Sequence, residues 1–131
     1  MSIEKISTLV ERILSEINKV LSFIKEKDFE EFVENVLAAK RIFITGSGRS
    51  GILARAFAMR LMQTGCAVYV VGETTVPPIN KGDLLIAVSG SGNTDSTKLI
   101  LEKAKRFGAS TYLITARENS PIADVADRKI V

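Results

Sequence analysis

Leu84-Leu85-Ile86-Ala87-Val88-Ser89-Gly90-Ser91-Gly92-Asn93-Thr94-Asp95 is the stretch on which the fold turns. Its first five residues are unbroken apolar, the pattern of a short strand covered on both faces. Small polar residues and two glycines follow. Leu99, Ile100, Leu101, Ala104 and Phe107 then recur at helical spacing, and Gly108 stops the helix. The same grammar appears upstream. Ile42-Phe43-Ile44-Thr45 reads as a strand, Gly46-Ser47-Gly48-Arg49-Ser50-Gly51 as its loop, and residues 51–64 as a helix with Gly65 as stop. Ala67–Val71 is a further strand, and Gly72–Asp83 a loop holding Pro77-Pro78 and a Lys81-Gly82-Asp83 turn. Downstream, Ser110–Thr115 is a strand. Ser120-Pro121 reads as an N-cap with Pro at the first helical position of a short helix to about Ala126, and Lys129-Ile130-Val131 as a fifth strand. Strands alternating with helices at these lengths predict right-handed βαβ units. The expected fold is α/β: a flavodoxin-like, doubly wound, five-stranded parallel sheet in the order 2-1-3-4-5 with N-terminal helices.

The N-terminal segment, residues 1–38, reads as helical. Ile3, Ile6, Val10, Ile13, Leu14, Ile17, Val20, Leu21 and Ile24 recur at three and four, placing them on one face. Asp28 followed by Glu31 resembles a capping box that restarts a second helix carrying Phe29, Phe32, Val33, Val36 and Leu37 inward. The apolar face serves either to pack this pair on its own domain or as a dimer interface.

The chain has 131 residues, which predicts one domain spanning 1–131. Hydrophobic residues make up 46% and charged residues 25%, a globular composition able to bury a core without staples. Histidine is absent, which removes Ser-His-Asp and Cys-His nucleophile systems and HExxH zinc sites. The single cysteine, Cys66, can form neither an internal disulfide nor a cysteine-cluster metal site and fits a reducing, cytoplasmic setting. It reads as a small buried apolar residue, and the Met59–Met62 stretch reads as core. No apolar run approaches the roughly 18 residues of a membrane span. Met1-Ser2-Ile3-Glu4-Lys5 has neither signal-peptide nor transit-peptide character. The net charge of +3 suits an anionic ligand, but Lys and Arg are scattered among acids and Trp is absent, so nucleic acid is not an expected partner.

In an open α/β sheet, ligands bind at the carboxyl ends of the strands beside the topological switch point, here between the first and third strands. The loops leaving those strands, Gly46–Gly51 and Ser89–Asp95, are the two segments richest in glycine and hydroxyls. Two readings compete. The first loop matches G-x-G-x-x-G, and Glu73 lies 22 residues past Gly51, where a dinucleotide fold keeps its ribose-binding acid. The second loop argues instead for an anion cradle. Hydroxyls of Ser89, Ser91 and Thr94, main-chain N–H groups at Gly90 and Gly92, and a helix N-terminus beyond Asn93 match the oxygens of a phosphomonoester. No G-x-x-x-x-G-K-[ST] is present, which argues against a P-loop NTPase. Arg49 either meets the anion or bridges the loop mouth, with Glu73 as its partner. Asp95 reads as a residue favouring the helix dipole rather than an acid catalyst.

Ser89-Gly90-Ser91-Gly92-Asn93-Thr94 resembles the phosphosugar-binding loop of the sugar isomerase (SIS) domain family, over nearly the whole chain. Gly46–Gly51, Phe57–Met62, Val71–Thr75 and the Pro pair resemble its 6-phospho-3-hexuloisomerase branch. The resemblance implies that Ser89, Ser91 and Thr94 hold a phosphate with the backbone of Gly90, Gly92 and Asn93. It also implies that Ser47 and Ser50, with Gly48 and Arg49 beside them, line the sugar site. It implies a ketose phosphate isomerase working through an enediolate, without a cofactor or metal, as a homo-oligomer (dimer or tetramer) away from nucleic acid and membrane. The family's catalytic base lies in a helix after the fifth strand, hence beyond Val131 here, so the C-terminal end of the family domain is expected to be missing. Within the chain Glu73 is the one candidate acid near the strand ends. The alternatives are a phosphosugar-sensing SIS domain without turnover, and a dinucleotide-binding domain.

Overall fold

In a computed structural model, which describes residues 3–131, five parallel strands form one sheet in the order β2-β1-β3-β4-β5. Met1 and Ser2, part of the N-terminus read above, lie outside the described residues. The elements in chain order are α1 (Ile6–Ser22), α2 (Glu26–Ala38), β1 (Ile42–Gly46), α3 (Gly48–Gln63), β2 (Val68–Val70), β3 (Leu84–Val88), α4 (Asp95–Arg106), β4 (Ser110–Ile114) and β5 (Arg128–Ile130). The expected strand order is the observed one.

Alternation of side chains along each strand splits the core into two layers. Ile42, Ile44, Leu84, Ile86, Tyr112 and Ile130 face α2 and α3, meeting Phe32, Val36, Ala54 and Ala58. Phe43, Leu85, Ala87 and Leu113 face α4 and the loop after β4, meeting Leu101, Ala104 and Ile122. The apolar runs of β1 and β3 are therefore covered on both sides, as their composition requires. Phe32 meets Tyr112 edge-on at 5.0 Å between ring centroids. Burial pushes the Tyr112 hydroxyl's pKa up, reinforced by nearby Glu31.

Two carboxylates pin the sheet away from its ligand-facing end. Asp83 precedes β3 and accepts from Arg41 Nε at 3.0 Å, Arg41 Nη2 at 2.6 Å and the Asn80 N–H at 2.7 Å. Asp127 precedes β5 and accepts from the Thr111 N–H at 2.9 Å and the Thr111 hydroxyl at 3.1 Å. Burial alone would raise both carboxyls. The hydrogen bonds and the cations beside them (Arg41 for Asp83, Lys105 for Asp127) hold both below the ordinary carboxylate value.

Several local expectations are corrected. The second helix starts at Glu26 with Lys25 as N-cap, so Asp28 lies in its first turn and no capping box forms. Only Phe32 and Val36 of that helix are buried, while Phe29, Val33 and Leu37 face outward. Met59 and Met62 are half exposed, at 51% and 50%, because α3 turns only Ala54 and Ala58 fully onto the sheet. Cys66 is partly rather than fully buried, packed at the edge of the α3 layer. Residues 120–126 form successive turns rather than a helix. Ser120 still accepts from the Ala123 N–H at 3.1 Å, so the capping chemistry was legible although no regular helix follows it. Helix α1 buries none of its residues, which goes against the first of the two readings of its apolar face, packing on its own domain.

Candidate functional site

β1 and β3 are neighbours, paired from Ile42↔Leu84 to Gly46↔Val88. The next residues along, Ser47 and Ser89, therefore open two loops side by side at the carboxyl end of the sheet. β4 lies on the other side of β3, paired up to Val88↔Ile114, and brings Thr115 beside Ser89.

The first corner is tighter than the sequence reading allowed. Helix α3 begins at Gly48, with Ser47 as N-cap, so Gly48–Gly51 is its first turn rather than a free loop. Gly48 has φ +57°, a backbone region that glycine enters at little cost. Gly46 and Gly51 are in close contact. A Cβ on Gly51 would stand 2.7 Å from the Gly46 carbonyl oxygen, so the helix can sit this close to the strand only with glycine there. Ser47, Gly48 and Arg49 are exposed and Ser50 is half-buried. All four are thus presented at the carboxyl end of β1.

The second corner is built from its own hydroxyls. Ser89 is buried at 3% exposure, and its Oγ accepts from the Gly92 N–H at 3.1 Å. Ser91 is exposed, and its Oγ accepts from the Asn93 N–H at 3.2 Å. Thr94 is the N-cap of α4 without a side-chain cap bond, so the first turn of α4 directs N–H groups outward beside these hydroxyls. Gly90 and Asn93 are exposed, and Gly92 is buried at φ +65°.

The two corners meet. Ser47 Oγ and Ser96 Oγ lie 3.2 Å apart, a hydrogen bond joining the N-cap of α3 to the first turn of α4. Ser96 was absent from the sequence reading, which stopped at Asp95; its hydroxyl in the first turn of the helix was the available signal. The segment after β4 forms a third wall. The Ala116 N–H donates to the Gly90 carbonyl at 3.2 Å, and the Ile122 N–H to the Gly92 carbonyl at 3.2 Å. A Cβ on Gly92 would run into the Ser120 side chain. Ser120 thus sets the back of the second corner.

Other candidates lie apart from this arrangement. Glu73 is exposed, and its carboxylate stands 3.7 Å from Arg55 on α3, so the expected pairing with Arg49 is not formed. Arg49 makes no ion pair among the described residues. Asp95 is the exposed first residue of α4. A cleft of about 320 Å³ between the 72–80 loop and α4 is lined by Phe43, Val76, Ile79, Ile100 and Phe107, with Lys103 its one charged residue. It lacks converging polar groups. The polar donors of the molecule converge where β1 and β3 end.

A family model described as "SIS domain" matches residues 36–131. A 3-hexulose-6-phosphate isomerase of Methylomonas aminofaciens is 40% identical over 117 residues, covering 89% of this chain and 65% of that protein. An uncharacterised protein of Archaeoglobus fulgidus is 47% identical over 97 residues, covering 74% of this chain and 53% of its own length. A crystal structure of a hypothetical protein from Methanococcus jannaschii, described as inferring a 3-hexulose-6-phosphate isomerase function, superposes with TM-score 0.76 at 41% identity. It covers 80% of this chain and 59% of that one. The chain thus spans between about half and two thirds of the length of these relatives.

Proposed function

The chain belongs to the SIS domain family, and from that premise we propose that it binds a hexulose 6-phosphate and serves its isomerisation between the 3-ketose and fructose 6-phosphate. The observation that carries this is the joining of the two corners at 3.2 Å through Ser47 and Ser96, with Ser89 and Ser91 lining the second. A phosphomonoester brings close to two negative charges and three acceptor oxygens. Ser89, Ser91 and Thr94 offer hydroxyls, and Gly90, Gly92, Asn93 and the first turn of α4 offer N–H groups. Ser47, Gly48, Arg49 and Ser50 flank that cradle, so a sugar chain leaving the phosphate runs along them.

The reaction needs one proton to leave C2 of the 3-ketose and one to arrive at C3, while the hydroxyl proton passes between O2 and O3. Both directions run through a 2,3-enediolate, and a single carboxylate on one face of the sugar can perform both carbon transfers. Donors must hold the developing oxyanion, a role for hydroxyls and for Arg49. Within these residues Glu73 is the candidate for that carboxylate. The pairing of Glu73 with Arg55 favours a second reading, in which these 131 residues bind the phosphosugar without turning it over. We also propose self-association, a cytoplasmic setting, and no role for nucleic acid, membrane, cofactor or metal. The lone, unpaired Cys66 supports the cytoplasmic setting.

Thermal-shift measurements with fructose 6-phosphate and with NAD test the binding. Stabilisation by the sugar phosphate and none by NAD is expected; the reverse result discards the proposal in favour of a dinucleotide site. Exchange of substrate carbon-bound hydrogen into labelled water then separates isomerase from sensor.

A further inference from the structure

Ser47 and Ser96 both turn their hydroxyls away from their own helices. A serine at an N-cap ordinarily accepts from an N–H of the first turn it opens. Ser47 is the N-cap of α3 and makes no such bond. A serine inside a helix ordinarily bonds to backbone three or four residues away. Ser96, in the first turn of α4, instead meets Ser47 Oγ at 3.2 Å, across 49 residues of sequence. Packing brings the two together. Helix α4 is anchored by Thr97, beside Ser96, and by Leu101 one turn on, both buried. Helix α3 is held close to β1 by the contact between Gly46 and Gly51. Both serines are exposed, so their bond faces solvent at the carboxyl end of the sheet.

An exposed hydroxyl pair at this distance contributes little to the fold. It decides where Ser47 points. A serine side chain has three staggered wells at χ1, and an exposed one without a partner moves among them. The bond to Ser96 selects one. A hydroxyl has one hydrogen to give and two lone pairs. Whichever oxygen of the pair donates, Ser47 therefore keeps a lone pair free for a sugar hydroxyl. The phosphate cradle does not use the Ser96 side chain. Ser89 Oγ is engaged with the Gly92 N–H and Ser91 Oγ with the Asn93 N–H. The N–H groups of the first turn of α4 belong to the backbone and survive any change of side chain at position 96.

We propose that Ser96 is a positioning residue for the sugar end of the ligand: its hydroxyl fixes the rotamer of Ser47, and Ser47 reads the sugar. The role rests on the phosphosugar reading above and adds to it a division of labour. Residues 89–94 hold the ester whatever it is attached to, and the Ser47–Ser96 pair distinguishes a sugar phosphate from a bare phosphate. Preorganising one small side chain in this way raises affinity without adding a contact to the ligand.

Calorimetric titration of the full chain with fructose 6-phosphate and with inorganic phosphate tests it. Ser96→Ala should weaken fructose 6-phosphate by about fivefold, the scale of one modest hydrogen bond, and leave inorganic phosphate unchanged. Ser96→Thr keeps the hydroxyl and should restore most of the loss. The S47A/S96A chain should bind no more weakly than S47A alone, because Ser96 acts only through Ser47. The urea midpoint of Ser96→Ala should match the wild type's. Equal loss of both ligands, no recovery in Ser96→Thr, additive losses in the double variant, or a lowered midpoint each overturns the role, as does an unchanged fructose 6-phosphate affinity in Ser96→Ala. A wild type that binds neither ligand discards the phosphosugar reading, and the role of Ser96 with it.

Discussion

Gly92 carries two constraints at once, and they set the sharpest expectation at the level of single residues. Its φ of +65° strains any L side chain, and a Cβ there would meet Ser120. Gly92→Ala should therefore cost about 2–3 kcal/mol of stability and weaken phosphosugar binding. Gly90→Ala, with open space around its Cβ, should leave the unfolding midpoint nearly unchanged. Urea denaturation of the two variants makes the comparison; equal losses would mean that Ser120 gives way freely. Ser89 and Ser91 separate in the same manner. Ser89→Ala leaves the Gly92 N–H without its acceptor in a buried position, a loss of about 1–2 kcal/mol. Ser91→Ala, at an exposed position, should change stability by less than about 0.5 kcal/mol. Both should lose fructose 6-phosphate affinity in calorimetric titration, and unchanged affinity in the pair would move the phosphate elsewhere. The hydroxyl-and-glycine pattern of this loop was readable because those residue types have few other uses at a strand end. Ser96 and Ser120 were not readable as parts of the site, since each acts through a neighbour that is remote in sequence.

At the scale of elements, the sheet is tied at its amino end by ion pairs and at its carboxyl end by hydroxyls. Arg41 and Asp83 join the starts of β1 and β3, and Asp127 joins the start of β5 to β4 through Thr111. Both carboxyls are held below their unfolded values, so the sign of the pH effect is fixed. Their stabilisation is complete above the unfolded carboxylate pKa of about 4 and is lost as pH falls through the lowered folded values. Stability measured by urea unfolding should be flat from neutral pH to about 5 and then fall steeply. Asp83→Ala should lower the melting temperature by several degrees at neutral pH and shrink that acid loss. An acid limb as steep as the wild type's would assign the effect to other groups. The elements themselves were largely legible, because apolar runs of five and helical spacings of three and four leave few alternatives. Residues 120–126 were misread as helix. Ser120 and Pro121 are good starting residues for one, but Ile122 is drawn into the sheet-facing core and its N–H into the bond with Gly92, which halts propagation after a turn.

For the whole molecule, protection should grade from the sheet outward. Amides of β1, β3 and β4 sit between two apolar layers and should exchange with solvent only on global unfolding. Those of α1, none of whose residues is buried, should exchange far faster. Hydrogen-exchange mass spectrometry reads this directly; an α1 as protected as β3 would show that it packs on its own domain. Periodicity and composition by themselves determined the alternation of strands and helices and the two loops rich in glycine and hydroxyls, because each follows from residues close together in the chain; the strand order was a fit to the flavodoxin-like pattern, which the pairing of β1 with β3 bears out. Only the tertiary structure decided that Ser47 meets Ser96, that Ser120 backs Gly92, that Glu73 turns to Arg55, and that α1 stands uncovered. Those outcomes depend on distances between segments far apart in sequence, which the packing of the sheet fixes and no local pattern records.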